Sequence, residues 1–442
     1  MPLSRRFFLA SSLAAAATPA VAAVRNPGEV DVAIVGAGAA GIAAARRLTA
    51  ARRRVLLFEA ADRIGGRCVT DGNRFGVPCD LGAHWIHLPD VNPVAKLAAR
   101  AGLEIYPAPL GQKVRIGPRN AREGELEDFL ASQVRATRAI GEAARGKADV
   151  SCAQALPKDL LDWRPTVEFV LGPFGCAKDL VEVSAVDFSK SAERDVDAFC
   201  RQGYGALIAK LAEGLPIELS SPVRRIEYGG RRAIDIVTTR GRLSARAVIV
   251  TASTGVLLAE KIAFDPELPK RHVDALAKLR PGSYDHIMLE LPGNPLGLQS
   301  DDLVFEKSDS PRTGALLANI GGTALCTVEV AGAFGRELSS QGEGAMVGFA
   351  VDWLANLFGA DVRKAVRRTL ATRWNAEPWV LGAFSAASPG GQPGRKVLME
   401  PVRNRIWFAG EAVHETLWGT VGGAWESGER AADAIIKRFG WR

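Results

Sequence analysis

The sequence predicts an α/β fold of two domains, with a Rossmann-like nucleotide-binding domain interrupted by a mixed-sheet and helical domain. Three stretches predict it. Residues 30–59 read as strand, glycine turn, helix, strand and acid. Residues 405–438 read as a strand closed by a glycine and an acid, then a loop and a helix led by glycines. Between them, residues 92–200 are charged, helical in period and broken by Gly117-Pro118 and Gly172-Pro173. Strand–helix alternation at both ends around a differently patterned middle points to one sheet assembled from separated segments.

The chain opens with an address. Ser4-Arg5-Arg6-Phe7-Phe8-Leu9 carries a twin arginine, an apolar run follows, and Ala20-Val21-Ala22 supplies small residues for cleavage. The run is well short of the ~20 residues a bilayer span needs. Residues 1–23 therefore read as a twin-arginine export signal, a route for folded and cofactor-loaded proteins, and predict a periplasmic protein. No other segment is apolar enough to span a membrane. With 442 residues and 47% hydrophobic content, the chain has ample core for two domains. The formal charge of +7 becomes +5 once Arg5 and Arg6 leave with the signal, and no basic arm or aromatic-basic motif points to nucleic acid. The cysteines at 68, 79, 152, 176, 200 and 326 form no Cys-x-x-Cys pair, so no metal site is predicted. Packed or free thiols are the default, and disulfides cannot be assigned from sequence.

Residues 30–35 are short, apolar and β-branched, as a buried parallel strand should be. Gly36-Ala37-Gly38-Ala39-Ala40-Gly41 follows, then an Ala- and Leu-rich helix to residue 50, then a second apolar run ending on Glu59, 23 residues after Gly36. That is the dinucleotide fingerprint in its required context. Gly36 permits the tight turn, Gly38 lets a pyrophosphate approach the backbone, and Gly41 lets helix and strand pack closely. The N–H groups of Ala39 and Ala40 sit at the helix N-terminus, which favours phosphate. Glu59 can accept from a ribose diol, with Ala60 beside it.

Asp62-Arg63-Ile64-Gly65-Gly66-Arg67 then resembles the second glycine motif of flavoproteins with two dinucleotide-binding domains, and Asp80-Leu81-Gly82-Ala83-His84-Trp85-Ile86-His87 resembles a segment of the flavin-containing amine oxidase family, nearest its polyamine oxidase branch. The resemblance implies FAD, with Arg63, Gly65, Gly66 and Arg67 along the cofactor and Gly82, Ala83, His84 and Trp85 near its ring system. His84 and His87 can serve as acid–base groups or as locally bonded walls; the second is the commoner role for such residues.

The middle of the chain carries fewer signals. Residues 123–145 predict an amphipathic helix with Leu126, Phe129, Leu130, Val134 and Ile140 on its apolar side. Gln202-Gly203-Tyr204-Gly205 opens a predicted helix carrying Leu207, Ile208 and Leu211, and residues 217–226 read as two short strands split by Ser221-Pro222. In the family, the residue after that proline holds the adenine through its backbone, which implies Val223 here. Ser253-Thr254-Gly255-Val256-Leu257 stands where the family has a proline in place of Ser253.

The clearest departure lies on the alternating strand entered by Pro281-Gly282-Ser283. The family places a lysine there, bonded through water to flavin N5. At this position the chain has His286, and no lysine lies between Arg280 and Lys307. Further on, Trp374, Pro378, Gly382 and Phe384 share the family's spacing, which implies Phe384 as one wall of an aromatic cage with Trp374 near the flavin. Covalent relatives carry a cysteine just before that aromatic; Ala383 implies non-covalent FAD. At the C-terminus, Ala409-Gly410-Glu411 and Gly419-Thr420-Val421-Gly422-Gly423-Ala424 match the family's closing motif. They imply cofactor contacts at Gly410, Glu411, Thr420 and Val421, with Thr420 in the second cage position and Trp418 able to supply a replacement wall.

The expected domain plan is FAD-binding segments at 27–90, 199–275 and 391–442 and substrate-domain segments at 91–198 and 276–390. The expected reaction is oxidative deamination of a small-molecule amine: hydride passes from the carbon next to the nitrogen to the flavin, and the imine is hydrolysed. Oxygen, a cytochrome c and a quinone remain open as electron acceptors, and a homodimer remains open. Two rivals stand beside this reading. An L-amino-acid oxidase or another flavin oxidoreductase of the same superfold would need an arginine facing the flavin. A non-catalytic flavin-binding periplasmic protein would find its one support in His286.

Overall fold

The computed structural model describes residues 29–192, 196–230 and 233–441, so the export signal expected at 1–23 lies outside the described residues. An eight-stranded sheet holds the nucleotide motif. Its order is Ile217–Glu218, Val55–Phe58, Val30–Val35, Gly241–Val250, Ile234–Thr238, Val223–Glu227 and Ala263–Asp265, with Ile406–Phe408 also paired to Gly241–Val250. The central pairings are parallel. Both faces are therefore covered: Val32 and Ile34 enter one core, Ala33 and Val35 the other. This explains why the strand reads as a continuous apolar run rather than an alternating one.

Two glycines permit close approaches that set the geometry of this domain. A Cβ on Gly41 would lie 1.9 Å from the Gly36 carbonyl oxygen, and one on Gly428 would lie 2.0 Å from that of Ala40. The first seats helix Ala39–Ala50 on the glycine turn. The second lets helix Val421–Phe439 cross it at backbone contact.

A seven-stranded sheet, in the order Thr369–Ala371, Tyr284–Glu290, Leu325–Ala331, Ala315–Ala318, Asp302–Glu306, Lys113–Ile116 and Arg119–Asn120, forms the second domain. Helix Glu343–Phe358 covers one face, where Ile287, Leu289, Val328 and Val330 are buried. Strand alternation then turns Tyr284 and His286 to the other face, which looks into the central cavity. A three-stranded sheet of Ile86–His87, Asp197–Cys200 and Ile105–Pro107 ties the DLGA-like segment to the middle of the chain. The chain thus has two domains, each built on a sheet whose strands come from separated segments of the sequence.

The expected helix over 123–145 runs Glu123–Ala143, but its buried stripe is Phe129, Ser132, Ala136 and Ile140. Leu130 and Val134 are 42% and 67% exposed and do not belong to the apolar side. The hydroxyl of Ser132 donates to the Asp128 carbonyl, 2.7 Å away, which lets a polar residue occupy the inward position that leucine or valine was expected to fill. Ser253, in place of a proline, caps helix Thr254–Leu258: its Oγ accepts from the Val256 N–H and donates to the Val380 carbonyl. All six cysteines are buried thiols. Among the described residues, no helix is long and apolar enough to cross a membrane.

Candidate active site

A cavity of about 830 Å³ runs from the carboxyl ends of the first sheet's strands to the inner face of the second. Every site residue predicted from the sequence lines it except Gly41, whose role is the helix contact just described.

The nucleotide end fits a dinucleotide. Gly36 has φ +105°, a conformation only glycine adopts without strain. Helix Ala39–Ala50 opens at Gly38 with no side chain capping it, so its first N–H groups face the cavity without a protein acceptor. The two glycine motifs are joined by a bridge between Gly38 and Gly65 and by a 2.9 Å bond from the Gly65 N–H to the Ala37 carbonyl. Glu59, expected to face a ribose, also has a role within the protein. Its carboxylate accepts from the Ala37 N–H at 2.8 Å and the Ala61 N–H at 2.9 Å, so it also clamps the turn. Pro222 and Val223 line the far wall.

Arg63 donates to the Gly66 carbonyl at 2.9 Å and lies over the Trp374 ring, 5.9 Å from its centroid. Trp374 is anchored by its ring N–H to the Leu81 carbonyl and by its backbone N–H to Asp285. A Cβ on Gly82 would strike the Arg67 carbonyl at 2.1 Å and the Trp374 ring at 3.1 Å, so the chain passes edge-on between them. Arg67 donates to the Ala383 carbonyl and, at 3.0 Å, to Glu411. Glu411 also accepts from the Ser385 N–H and hydroxyl and from the Gly419 N–H. Its carboxylate is a clamp that brings the Phe384 loop to the Gly419 loop. Ser385 escaped the sequence reading because a serine in a loop has no distinguishing pattern.

At the substrate end, Phe384 packs against Gly419, where a Cβ would come within 2.9 Å of its ring. Thr420 lines the cavity, but its hydroxyl is committed to capping helix Val421–Phe439, accepting from the Gly423 N–H and donating to the Leu417 carbonyl. Trp418 is fully buried and lines the cavity, with the Arg395 guanidinium 5.0 Å from its ring centroid. His84 places Nδ1 2.8 Å from Asp80 and stacks on Phe199, while its Nε2 is buried without a hydrogen-bond partner. His87 places Nδ1 2.6 Å from Asp197. Both histidines are thus held locally, each by a carboxylate.

His286 is beside two residues the sequence reading did not single out. Tyr284, two positions earlier on the same strand, lines the cavity 5.9 Å from Phe384 and donates its hydroxyl to Glu329. Glu329 pairs with His286 across the strands, its Oε1 3.6 Å from the His286 Nδ1. Burial, aided by His84, pushes His286 down to about 4. Burial pushes Glu329 up to about 7 against the opposing effects of Tyr284 and His84. At neutral pH the imidazole is uncharged, so the contact is not an ion pair. The signal for Glu329 was legible in principle: it is the one charged residue in the seven-residue strand Leu325–Ala331, every residue of which is buried.

Fold and cavity together define a two-domain protein in which a glycine turn of the dinucleotide-binding type opens on one end of a cavity and aromatic side chains line the other. The family model for flavin-containing amine oxidoreductases matches residues 39–436, and the chain belongs to that family. It is 27% identical to the human lysine-specific histone demethylase 2 over 92% of this chain and 53% of that protein. It is 28% identical to polyamine oxidase 4 of Oryza sativa subsp. japonica over 92% of this chain and 89% of the other. The chain thus spans about half the length of that demethylase, and nearly all of the rice polyamine oxidase. Among solved structures, cyclohexylamine oxidase from Brevibacterium oxydans IH-35A superposes with a TM-score of 0.79 at 21% identity, covering 93% of this chain and 99% of that one. A putrescine oxidase variant superposes equally well at 20% identity, covering 93% and 100%. Membership of this flavin-containing family supports FAD as the cofactor.

Proposed function

We propose that the protein catalyses the oxidative deamination of a small-molecule amine in the periplasm, with FAD held non-covalently. The observation that carries this reading is the substrate end of the cavity. Phe384, Trp418 and Tyr284 form aromatic walls, and no cavity-lining arginine among the described residues is unengaged. Arg63 and Arg67, the two that line it, are bound to backbone carbonyls and to Glu411. A carboxylate-bearing amino acid therefore lacks the bidentate partner it would require, whereas an amine needs none.

Bound FAD supplies the acceptor for the hydride that leaves the carbon next to the amine nitrogen. Gly36, Gly38, Ala39 and Ala40 would receive the pyrophosphate, Glu59 the ribose, and Val223 the adenine. Gly65, Gly66, Gly82 and Ala83 would lie along the rest of the cofactor. The apolar lining disfavours the ammonium form and favours the neutral amine, the form that is oxidised. Phe384 and Trp418 would align the amine, excluding water from the reacting bond. Trp374, pinned at both its nitrogens, keeps the cofactor wall rigid. Gly419, which has no side chain, and Thr420, which has a small one, leave the aromatic end of the cavity open to amines of different length.

The test is an anaerobic screen of primary amines, diamines, polyamines and L-amino acids against the holoprotein, following the loss of flavin absorbance. Bleaching by amines alone supports the proposal. Bleaching by amino acids alone would replace it with the amino-acid oxidase reading, and no bleaching by any of them with the non-catalytic one.

A further inference from the structure

Resting on the amine reading, a second feature of the cavity goes beyond it. Amines with a pKa near that of lysine, about 10.4, arrive at neutral pH almost wholly as ammonium ions. Oxidation at the neighbouring carbon needs the nitrogen lone pair, so a proton must leave first. An apolar cavity that only disfavours the cation binds little substrate. One that also holds an acceptor for the proton converts the abundant form into the reactive one.

The acceptor is Glu329. It is 2% exposed and does not itself line the cavity, but both of its side-chain neighbours do. Tyr284 donates its hydroxyl to one carboxylate oxygen, and His286 stands 3.6 Å from the other. The rings of Tyr284 and His286 lie 5.4 Å apart, and that of Tyr284 lies 5.9 Å from Phe384. We propose that Tyr284, His286 and Glu329 form the acid–base unit of this active site, in which Glu329 is a positioning residue that stores the proton a bound ammonium gives up.

The exchange balances without any further reagent. An N–H bond of the ammonium breaks and an O–H bond forms at Tyr284 Oη, while the hydroxyl's original proton passes to Glu329. One N–H and one O–H bond break, two O–H bonds form, and a cation and a carboxylate become two neutral groups. No electrons move. His286, uncharged at neutral pH, borders the second carboxylate oxygen without supplying a charge that would lock the carboxylate in its ionised form.

The surroundings suit a group that must change charge inside a dry cavity. The titratable residues facing Glu329 are Tyr284 and His286 on strand Tyr284–Glu290, and His84, backed by Asp80, from the segment before Ile86–His87. The neighbouring strand places Ala315 opposite it, and Phe174 and Phe305 close the side beyond Tyr284 without charge. From helix Gly332–Ser340, Glu337 is engaged at the surface by Arg312. Burial with few compensating charges brings the carboxyl to about 7, within the working range of a proton acceptor at neutral pH. Tyr284 is pushed well above its ordinary value by burial and so relays the proton rather than losing it.

The test has one arm that needs no turnover. Infrared difference spectra of the FAD-loaded protein across about pH 5 to 9 should show a buried carboxyl losing its proton near neutrality. Asp285, a second carboxyl that burial raises to about 6, gives its own change at lower pH; the component near pH 7 should vanish in Glu329→Gln, shift in Tyr284→Phe and survive in Glu329→Asp. The second arm follows anaerobic flavin reduction by benzylamine and by putrescine over the same range. In the native protein the rate should rise through about pH 7. In Glu329→Gln it should fall about 10²-fold at pH 7, and its rise should move toward the amine's own ammonium pKa. A purely structural Glu329 would instead lower the rate equally at every pH. If Glu329→Gln does not fold, Tyr284→Phe removes the same hydrogen bond and should displace the profile in the same direction. An unchanged carboxyl component near pH 7 in Glu329→Gln, or a pH profile that neither variant moves, overturns the proposal. Failure of any amine to reduce the flavin overturns the amine reading instead, while the infrared arm still reports on Glu329.

Discussion

Replacing His286 by lysine tests how the reduced enzyme disposes of its electrons. With His286 at about 4, only about one molecule in 10³ carries an imidazolium at pH 7. The position that holds a cation in the wider family is therefore neutral in this chain. Oxygen reduction begins by forming superoxide, an anion, which a fixed cation stabilises. A unit charge several Å from a developing anion, at an effective dielectric near 20, contributes about 2–3 kcal/mol, or roughly a thirty- to 160-fold change in rate. Native protein reduced anaerobically by its amine should accordingly react slowly with oxygen and faster with cytochrome c or a quinone analogue. His286→Lys should speed oxygen reoxidation at least tenfold. Glu329, 3.6 Å from the His286 ring, would ionise beside a new ammonium and offset part of its field, so His286→Lys with Glu329→Gln should be faster than the single variant. Stopped-flow mixing with oxygen or with cytochrome c measures all of these rates. Rapid native reoxidation by oxygen, with no gain in either variant, would refute the reasoning.

Four other outcomes are expected. Acid or heat should release all of the yellow flavin from precipitated protein, since Ala383 offers no thiol for a covalent bond; flavin retained in the pellet contradicts this. Glu59→Ala should weaken FAD retention by at least the ~1.5–3 kcal/mol of a charged hydrogen bond, and by more if the turn relaxes, because the carboxylate also holds the N–H groups of Ala37 and Ala61; equilibrium dialysis of FAD checks it. Arg5→Lys with Arg6→Lys should leave folded, yellow protein in the cytoplasm, as cell fractionation would show. Glu329→Gln should raise thermal stability at pH 8 by about 1–3 kcal/mol and change it little at pH 4.5, read from denaturant unfolding of both proteins. The sign follows from the carboxyl's upward shift: the folded state holds its proton between the ordinary value of 4.5 and about 7, so the stability this group lends is present below 4.5 and lost as pH rises through 7.

The parts legible in the sequence are those where backbone chemistry leaves a fixed pattern. The strand at Val30–Val35, Gly36, Gly41 and the acid at Glu59 follow from what a parallel strand, a tight turn and a helix seated on it demand, and the structure places them as read. Phe384 and Trp374 were placed by shared spacing rather than periodicity, and they reach the same cavity although they come from the second domain. Leu130 and Val134 show where pattern fails. They fit a helical stripe about as well as Ser132 and Ala136, and the choice between the two stripes belongs to the neighbouring elements.

Glu329 shows the deeper limit. Nothing adjacent in sequence hints at its role, because its partners lie 43 and 45 positions away and meet it only through strand pairing. What can be read is an anomaly: a carboxylate in a strand of otherwise apolar or hydroxyl-bearing residues, where burial of an unneutralised charge is unfavourable. A core with no chemical task would be more stable with leucine there. The chain instead surrounds the carboxyl with a tyrosine hydroxyl and a neutral imidazole, enough to keep it buried but too little to keep it permanently ionised. A group so arranged changes charge with its surroundings, and the surroundings that change in this cavity are those of the bound substrate. The stability lost at position 329 above neutral pH and the proton accepted there during turnover are thus two consequences of the same raised pKa, which is why one substitution should move both.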